Sequence, residues 1–386
     1  MPRSSRETIK DALEKCIFLH ESKDYATAEI ILRQIMRAFS EEYYTDSDEL
    51  SKEKLSKGME LLCQHKVDEA LPLIEEAYRL QPDSRTAFIN SIYCNFHISN
   101  YKRVWELYED RLKHFDQLIA YKNMFNFDKK WNGTDSIQDK TVLVFCEQGL
   151  GDTIHFSRYL KHLKACGCKI VLNCSKVLKR LFESESFKFI VDEIVCKEDV
   201  TVDWMPKYDY HLPLLSLPYL LGLYEPYPEA YVEIYDKNYY ENSKINVGFL
   251  WKGNPSSGND KIRSVNINWF RQLMLPHVEL HSLHHEEKPL EGMVSHIKEI
   301  DDLYDVAKII NSLDLIVTVD TAVLHLAGAM GKKVWGLIPF NCDFRWKLTG
   351  DRSIWYPNVR LFRQEYPDDW DGVFKKVAKE LHSWKC

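Results

Sequence analysis

The spacing of apolar residues changes along this chain. Up to about residue 125, apolar positions recur at helical intervals without any strand-like run. From Lys140 to about Tyr235, short β-branched runs alternate with helical segments, and the alternation returns after Asn246. Such alternation predicts parallel sheets covered by helices on both faces. We therefore predict an all-α helical block followed by two Rossmann-like α/β lobes, with boundaries at 1–125, 126–238 and 239–386.

The same patterns predict individual elements in both lobes. In the first lobe we expect strands at Val142–Phe145, Lys169–Asn173 and Phe189–Val195, helices at Ile154–Leu163 and Val177–Phe182, and a short strand in Asp209–Leu212. In the second lobe we expect strands near Asn246–Leu250, Val278–Leu283, Leu315–Val319 and Lys333–Ile338, and helices near Leu303–Ser312, Ala322–Met330 and Trp370–Ser383. The polar stretch between Tyr235 and Lys244 is typical of a linker.

The helical block carries a weak internal repeat. Ala70 and Val104 lie 34 residues apart, which is the tetratricopeptide period. The middle copy fits best, because small residues and a terminal proline occupy the expected positions: Gly58, Ala70, Ala77 and Pro82. Flanking copies would span 9–42 and 85–118. A generic helical bundle is the alternative interpretation.

Composition narrows the class of protein. The chain has 386 residues, of which 45% are hydrophobic and 28% charged, as is ordinary for a globular protein. A net charge of −7 argues against general nucleic-acid binding, which needs a basic surface. The most apolar run, Leu212–Leu223, is too short to span a bilayer, and the first residues lack an apolar stretch. We expect a cytoplasmic location.

The first candidate site lies where the first strand of the sheet meets a helix. Gln148, Gly149, Gly151 and Asp152 stand at this turn. Glycines let the backbone approach a ligand closely, and a helix start favours negative charge. Asp152 is therefore either a helix cap or a carboxylate held where a polar substrate arrives.

A second candidate site lies at the strand ends of the second lobe. Lys252 follows one strand, and Asp320 with Thr321 follows another. Thr321 is a candidate helix cap, and His325 lies four residues later on the same helix face. Ligands bind beyond the carboxyl ends of parallel strands, so these residues form a candidate diphosphate site. Taken singly, each also fits a cap, a solvated lysine or a core histidine.

Several segments together resemble a known family. The chain is similar to glycosyltransferases of GT-B fold related to the lipopolysaccharide heptosyltransferases (family 9), in the subgroup that carries tetratricopeptide repeats. The similarity extends from about residue 131 to the end. It rests on five segments: Glu147–Tyr159, Val247–Asn254, Asp314–Gly331, Pro339–Trp346 and Trp355–Gln364. The domain order also resembles that of the protein O-GlcNAc transferases.

The resemblance implies roles for the candidate residues. Asp152 would be the general base on the acceptor hydroxyl, and Lys252 would neutralise the leaving nucleoside diphosphate. The remaining donor contacts would be Arg263, Asp320, Thr321 and His325, with Gln148, Gly149 and Gly151 forming the neighbouring loop. The reaction would be inverting and would need neither metal nor cofactor. The acidic pairs Asp301-Asp302 and Asp368-Asp369 are better interpreted as first-turn helix acids than as a cation site.

Two other functions stay open at this point. One is a non-catalytic binding scaffold that keeps the two-lobed fold, and the other is a nucleotide-sugar 2-epimerase, which would need no acceptor. For the transferase, the expected partners are a nucleotide-sugar donor and a glycan, lipid-linked or protein acceptor. The helical repeats would bind a protein partner or a second copy of the chain.

Overall fold

The computed structural model describes residues 46–114, 127–199, 206–236, 240, 243–256 and 260–384. The chain divides into two compact units, Met1–Lys130 and Trp131–Cys386. Both predicted domain boundaries, 125–126 and 238–239, lie outside the described residues. They therefore stay predictions.

Over residues 46–114, the first unit consists of helices joined by short turns. Its helices are α1 (Asp46–Cys63), α2 (Val67–Leu80), α3 (Arg85–His97), α4 (Tyr101–Tyr108) and the short α5 (Arg111–His114). The first residues of α2 and α4 are 34 positions apart. A Cβ atom at Gly58 would lie 2.6 Å from Ile74 Cγ1, so α1 and α2 need a small residue at their contact. The tetratricopeptide assignment stays a prediction, and the copy expected at 9–42 lies outside the described residues.

The first sheet belongs to the second unit and is fully parallel. Its strands are β1 (Thr141–Phe145), β2 (Lys169–Cys174), β3 (Glu193–Cys196) and β4 (Tyr210–Pro213), in the order β3-β2-β1-β4. The helices between and after these strands are α6 (Leu150–Ser157), α7 (Leu160–Ala165), α8 (Lys179–Phe182) and α9 (Leu217–Leu220). The strands at β1, β2 and β4 are confirmed.

Three predicted elements of this lobe differ from the structure. The helix expected at Val177–Phe182 is a 3₁₀ turn over Lys176–Leu178 followed by α8 over Lys179–Phe182. The helix expected at Ile154–Leu163 begins earlier and breaks after Ser157, because the Ile154 and His155 carbonyls accept hydrogen bonds from Tyr231 Oη and Arg158 Nε, respectively. The strand expected at Phe189–Val195 is also wrong over its first half. There the backbone turns, with the 190 and 191 amides donating to the Phe187 carbonyl, and β3 begins only at residue 193.

The second sheet is also parallel and has six strands. These are β5 (Ile245–Leu250), β6 (Val278–Ser282), β7 (Val294–Ser295), β8 (Leu315–Val319), β9 (Val334–Ile338) and β10 (Val359–Arg363), in the order β10-β9-β8-β5-β6-β7. The helices are α10 (Asp260–Arg263), α11 (Leu303–Ser312), α12 (Ala322–Ala329) and α13 (Trp370–Ser383). The four predicted strands are confirmed, and the pattern missed both edge strands, β7 and β10.

Buried apolar residues hold α13 against this sheet. Phe374 lies edge-on to Phe270, with ring centroids 5.1 Å apart, and Phe270 packs on Phe249 of β5. The central strands β5, β8 and β9 are buried along their whole length, as expected where helices cover both faces. This core fixes the carboxyl ends of β5 and β8 side by side.

Charged groups also join the two lobes of the second unit. Arg180 of α8 contacts Asp305 at 3.0 Å and Asp302 at 3.2 Å, both at the start of α11. Asp302 is the N-cap of α11 and accepts from the amides of Tyr304 and Asp305. Asp369 likewise caps α13 and accepts from the Gly372 amide. Both residues therefore serve as helix caps, in line with the first-turn interpretation of the acidic pairs.

None of the described helices combines the length and the apolar character that crossing a lipid bilayer requires.

Candidate functional site

The starts of α6 and α12 meet at Gly151. A Cβ atom built on Gly151 would lie 2.9 Å from His325 Cδ2 and 3.6 Å from the Ala322 amide nitrogen. A larger residue would therefore push the two helix starts apart. Since α6 follows β1 and α12 follows β8, the strand ends of both lobes border one cleft. The structure thus brings the Asp152 turn and the Thr321 turn together.

Asp152 is held by two donors in this cleft. It is the third residue of α6, after the N-cap Gly149, whose amide donates to Asp152 Oδ2 at 3.2 Å. Arg345 Nη2 donates to Asp152 Oδ1 at 2.6 Å. Burial raises the pKa of Asp152 above its usual value, the Asp343 charge adds to this, and Arg345 opposes it. Asp152 is thus an oriented carboxylate and a stronger base than an ordinary aspartate.

Arg345 is a site residue that the sequence reasoning missed. Its guanidinium pairs with Asp343 at 2.9 Å as well as with Asp152, and only 7% of its side chain is exposed. The rings of Phe156 and Phe344 lie 5.5 and 4.6 Å from the guanidinium carbon. Arg345 lies inside Pro339–Trp346, one of the five segments on which the family resemblance rests. That resemblance was the only feature of the sequence that could have pointed to Arg345.

The start of α12 has the features of an anion site. The first amides of a helix have no acceptor within it, and the helix dipole adds positive potential there. Thr321 is the N-cap and is buried, yet its Oγ1 makes no hydrogen bond to any residue the structure describes. A buried hydroxyl at a helix start is thus left to a ligand or to water.

Asp320 lies beside this helix start. Its backbone carbonyl accepts from Arg263 Nη1 at 2.9 Å, and its Oδ1 is 3.9 Å from His325 Nε2. Burial, together with the Asp343 charge, raises the pKa of Asp320 to about 6. Arg263 and Arg345 oppose this shift. Asp320 therefore carries a carboxylate that the fold holds at a cost in stability.

We expect Asp320→Asn to stabilise the folded chain at pH 8. Because the folded pKa lies above the unfolded one, the ionised carboxylate lowers stability progressively from about pH 4 to pH 6 and fully above that. Thermal melts of both proteins at pH 8 and pH 4 test this. The melting temperature of the variant should exceed that of the wild type at pH 8, and the difference should shrink at pH 4. A variant that melts lower at both values would contradict the assignment.

Arg263, a donor contact that only the family resemblance implied, lies beside Asp320 at the end of β8. It ends α10, and its Nε contacts Asp260 Oδ1 at 3.4 Å. A Cβ atom on Gly253 would lie 2.8 Å from Arg263 Nη2, so the glycine leaves room for the guanidinium. Arg263 thus connects the loop after β5 with the backbone at the end of β8.

Lys252 has an acidic partner that the sequence reasoning missed. Its Nζ forms an ion pair with Glu287, and 28% of the Lys252 side chain is exposed. The Glu287 segment is held by His284, whose Nδ1 accepts from the amides of Glu286 and Glu287. The His284 ring in turn stacks on Trp251 at 4.8 Å. Lys252 is therefore held at the end of β5 rather than extending into solvent.

His325 bonds to a side chain and not to a backbone carbonyl. Its Nδ1 lies 2.9 Å from Tyr356 Oη, and the same hydroxyl lies 2.9 Å from Nδ1 of His155 in α6. The Trp346 ring stacks on His325 with centroids 5.3 Å apart. Behind them, the fully buried Arg158 donates to the carbonyl of Trp355. The sequence reasoning assigned no role to His155, Arg158 or Tyr356.

Within the described ranges, no group of three or more histidine, cysteine, aspartate or glutamate side chains is arranged to hold a metal ion. The predicted metal independence stays a prediction. Of the predicted loop residues, Gln148 lies half-buried directly before Gly149, the N-cap of α6, whereas Gly151 is the second residue of that helix and not part of the loop.

Comparison with known proteins gives a partial match to one family. The model of Glycosyltransferase family 9 (heptosyltransferase) matches residues 301–352, a segment that contains Asp320, Thr321, His325 and Arg345. A curated relative, Protein FlbA of Caulobacter vibrioides, is 25% identical over an alignment of 320 residues that covers 72% of this chain and 52% of FlbA. The chain thus spans about half the length of that relative.

The chain also resembles several solved structures. The iron-containing dodecameric glycosyltransferase TibC of enterotoxigenic E. coli matches 62% of this chain and 67% of its own, at 11% identity and a TM-score of 0.44. The E. coli ADP-heptose lps heptosyltransferase II matches 63% of this chain and 98% of its own, at 13% identity and a TM-score of 0.42. The O-GlcNAc transferase of Thermobaculum terrenum covers the whole chain at 9% identity and a TM-score of 0.31.

Proposed function

We propose that this chain is a glycosyltransferase that moves a sugar from a nucleoside-diphosphate donor to a hydroxyl acceptor, with inversion and without a metal ion. The observation that carries the proposal is the contact between the starts of α6 and α12 at Gly151. It sets one oriented carboxylate opposite a helix start with an unpartnered hydroxyl. The family 9 match over the segment that includes α12 agrees with this chemistry.

The second lobe supplies what a leaving diphosphate needs. Negative charge develops on the phosphate oxygen as the sugar–phosphate bond breaks. In this proposal the first amides of α12 and Thr321 Oγ1 donate to the phosphates. Lys252 and Arg263 add positive charge in the position where other transferases use a cation. The Lys252–Glu287 ion pair opens when the diphosphate enters.

The first lobe supplies the base. Asp152 takes the proton of the acceptor hydroxyl as its oxygen attacks the sugar carbon. A raised pKa brings its basicity closer to neutral pH, where a general base works best. Arg345 keeps the carboxylate pointed into the cleft. In this proposal a single base deprotonates the acceptor, and the acceptor oxygen displaces the diphosphate in one step, which inverts the sugar carbon.

The family match suggests the donor class to try first. The heptosyltransferase II among the matching structures is named for ADP-heptose, so an adenosine-diphosphate sugar heads the list. The acceptor is a glycan, a lipid-linked saccharide or a protein hydroxyl, and the helical unit is the proposed surface for a large acceptor or a partner.

We expect the chain to consume a nucleotide sugar, and the rate to be unchanged by EDTA. The test incubates the protein with a panel of ADP-, UDP-, GDP- and CDP-sugars, with and without EDTA, and follows nucleoside diphosphate release by mass spectrometry. Release that EDTA abolishes and Mg²⁺ restores would reject the metal-free mechanism. No release and no thermal stabilisation by any nucleoside diphosphate would reject the transferase and favour a scaffold. A rearranged sugar formed without an acceptor would point to an epimerase.

A further inference from the structure

Three buried side chains link the two lobes behind the cleft. The Tyr356 hydroxyl lies 2.9 Å from Nδ1 of His155 and 2.9 Å from Nδ1 of His325. His155 is on α6 and His325 on α12, so one hydroxyl bridges the two helices that carry the candidate site. All three side chains are buried, with exposures of 0, 0 and 6% for Tyr356, His155 and His325.

Both imidazoles of this bridge are neutral. Burial lowers the pKa of each histidine well below its usual value, and the Arg158 and Arg345 charges lower it further. Burial likewise raises the pKa of Tyr356 well above its usual value, so its hydroxyl keeps the proton. A hydroxyl with one proton can donate to at most one Nδ1, so at least one of the two imidazoles donates its Nδ1–H to the hydroxyl.

Two observations decide the direction of the bridge. His155 Nε2 is buried and has no hydrogen-bond partner among the described residues. A buried N–H without an acceptor is rarer than an unused lone pair, which places the His155 proton on Nδ1. His325 Nε2 faces the Asp320 carboxylate at 3.9 Å, where a proton is favoured and a lone pair is repelled.

We propose that Tyr356 is a positioning residue: it accepts from His155 Nδ1–H and donates to His325 Nδ1, and so holds His325 in the Nε2–H tautomer. The Nε2–H group then stands at the start of α12 beside Asp320. Its distance to Asp320 is too long for a direct hydrogen bond, so the N–H is available to an oxygen of the bound diphosphate. This step rests on the proposed function, whereas the tautomers themselves do not.

The arrangement also accounts for Gly328 on α12. A Cβ atom there would lie 2.7 to 2.9 Å from the Tyr356 ring carbons. The absence of a side chain lets the ring lie flat on the helix, and this brings the hydroxyl within reach of both histidines. The bridge is thus fixed by backbone packing as well as by its hydrogen bonds.

Tautomers can be measured without any substrate. In the wild-type chain labelled with ¹⁵N-histidine, two-bond ¹H–¹⁵N correlation spectra should show His155 as Nδ1–H and His325 as Nε2–H. His155→Gln and His325→Gln assign the signals. The reverse pair of tautomers in the wild type would overturn the proposal, whatever the enzymatic activity.

Tyr356→Phe removes only the hydroxyl and tests the same point. His325 should become a mixture of tautomers, and the affinity for inorganic pyrophosphate should fall about tenfold, as for the loss of one hydrogen bond to an anion. The matched control is Tyr227→Phe, whose ring also lies near Arg158 but whose hydroxyl contacts His162. The control should leave both readouts unchanged.

An unchanged His325 tautomer in Tyr356→Phe would overturn the positioning role of Tyr356. If the wild-type protein shows the expected tautomers but transfers no sugar, only the proposed function is rejected. If Tyr356→Phe does not fold, the wild-type spectrum decides.

Discussion

Asp152→Asn should lower kcat for glycosyl transfer by a factor of about 10² to 10⁴, the range for loss of a general base. The amide keeps the size of the side chain and can still accept from Arg345 or from the Gly149 amide. It cannot take a proton from the acceptor hydroxyl. Donor binding should change little, so the loss should fall on kcat more than on the donor KM. Steady-state rates over pH 5 to 9 measure this.

The control for this variant is Asp209→Asn. Asp209 also accepts from a backbone amide, that of Thr141 at 2.8 Å. This contact lies at the amino-terminal end of β1, whereas Asp152 follows the carboxyl end of the same strand. The Asp209→Asn variant should keep the wild-type kcat. The control thus separates the loss of a carboxylate that accepts from a backbone amide from the loss of the general base. The wild-type rate should fall as the pH drops through the raised pKa of Asp152, because protonation removes the base. Wild-type turnover in Asp152→Asn would end the assignment.

Lys252→Met should lower kcat by about 10² to 10³, as expected when one group that stabilises the leaving charge is removed. The methionine keeps most of the length of the side chain without its charge, and Glu287, half-exposed, tolerates the loss of its partner. The donor KM should also rise, because the lysine would contact the diphosphate before and during the reaction. Initial rates at several donor concentrations separate the two effects.

Lys261→Met is the matched control for the lysine. Lys261 lies on α10 near Arg263, is exposed, and carries the same charge into the same region of the molecule. If long-range attraction of the anionic donor caused the effect, both variants would lose similar activity, and both losses would shrink at high salt. A selective loss in Lys252→Met supports a direct contact. Equal losses would contradict it.

The pattern of apolar residues predicts most of the α/β elements because each is a local property. Strand β8 and helices α11 and α13 have the predicted bounds, since buried strands and amphipathic helices carry their periodicity within a few residues. The break in α6 is different. It depends on Tyr231 and Arg158 taking carbonyls that the helix would otherwise use, and Tyr231 lies 77 residues from Ile154 in the sequence.

Some residues of the candidate site could likewise be predicted from the sequence, and others could not. Asp152 stands after the carboxyl end of β1, and Lys252 and Thr321 after those of the adjacent strands β5 and β8, so the position of each within its own sheet follows from the topology. Arg345 contacts Asp152 across 193 residues, and Tyr356 contacts His155 across 201. Neither has a local signature of its role, because Arg345 lies in a short 3₁₀ turn (Phe344–Trp346) and Tyr356 in a loop, and tertiary packing sets the position of both. Such residues are found only from the resemblance of a whole segment or from the fold.

The central claim is that the diphosphate of a nucleotide sugar binds at the start of α12 and faces Asp152. Crystals soaked separately with ADP, UDP and GDP test it directly. We predict phosphate oxygens within hydrogen-bond distance of Thr321 Oγ1 and of the first amides of α12, with Lys252 Nζ turned from Glu287 towards them. A nucleotide that binds elsewhere on either sheet, with no phosphate at the Thr321 turn, would contradict this claim.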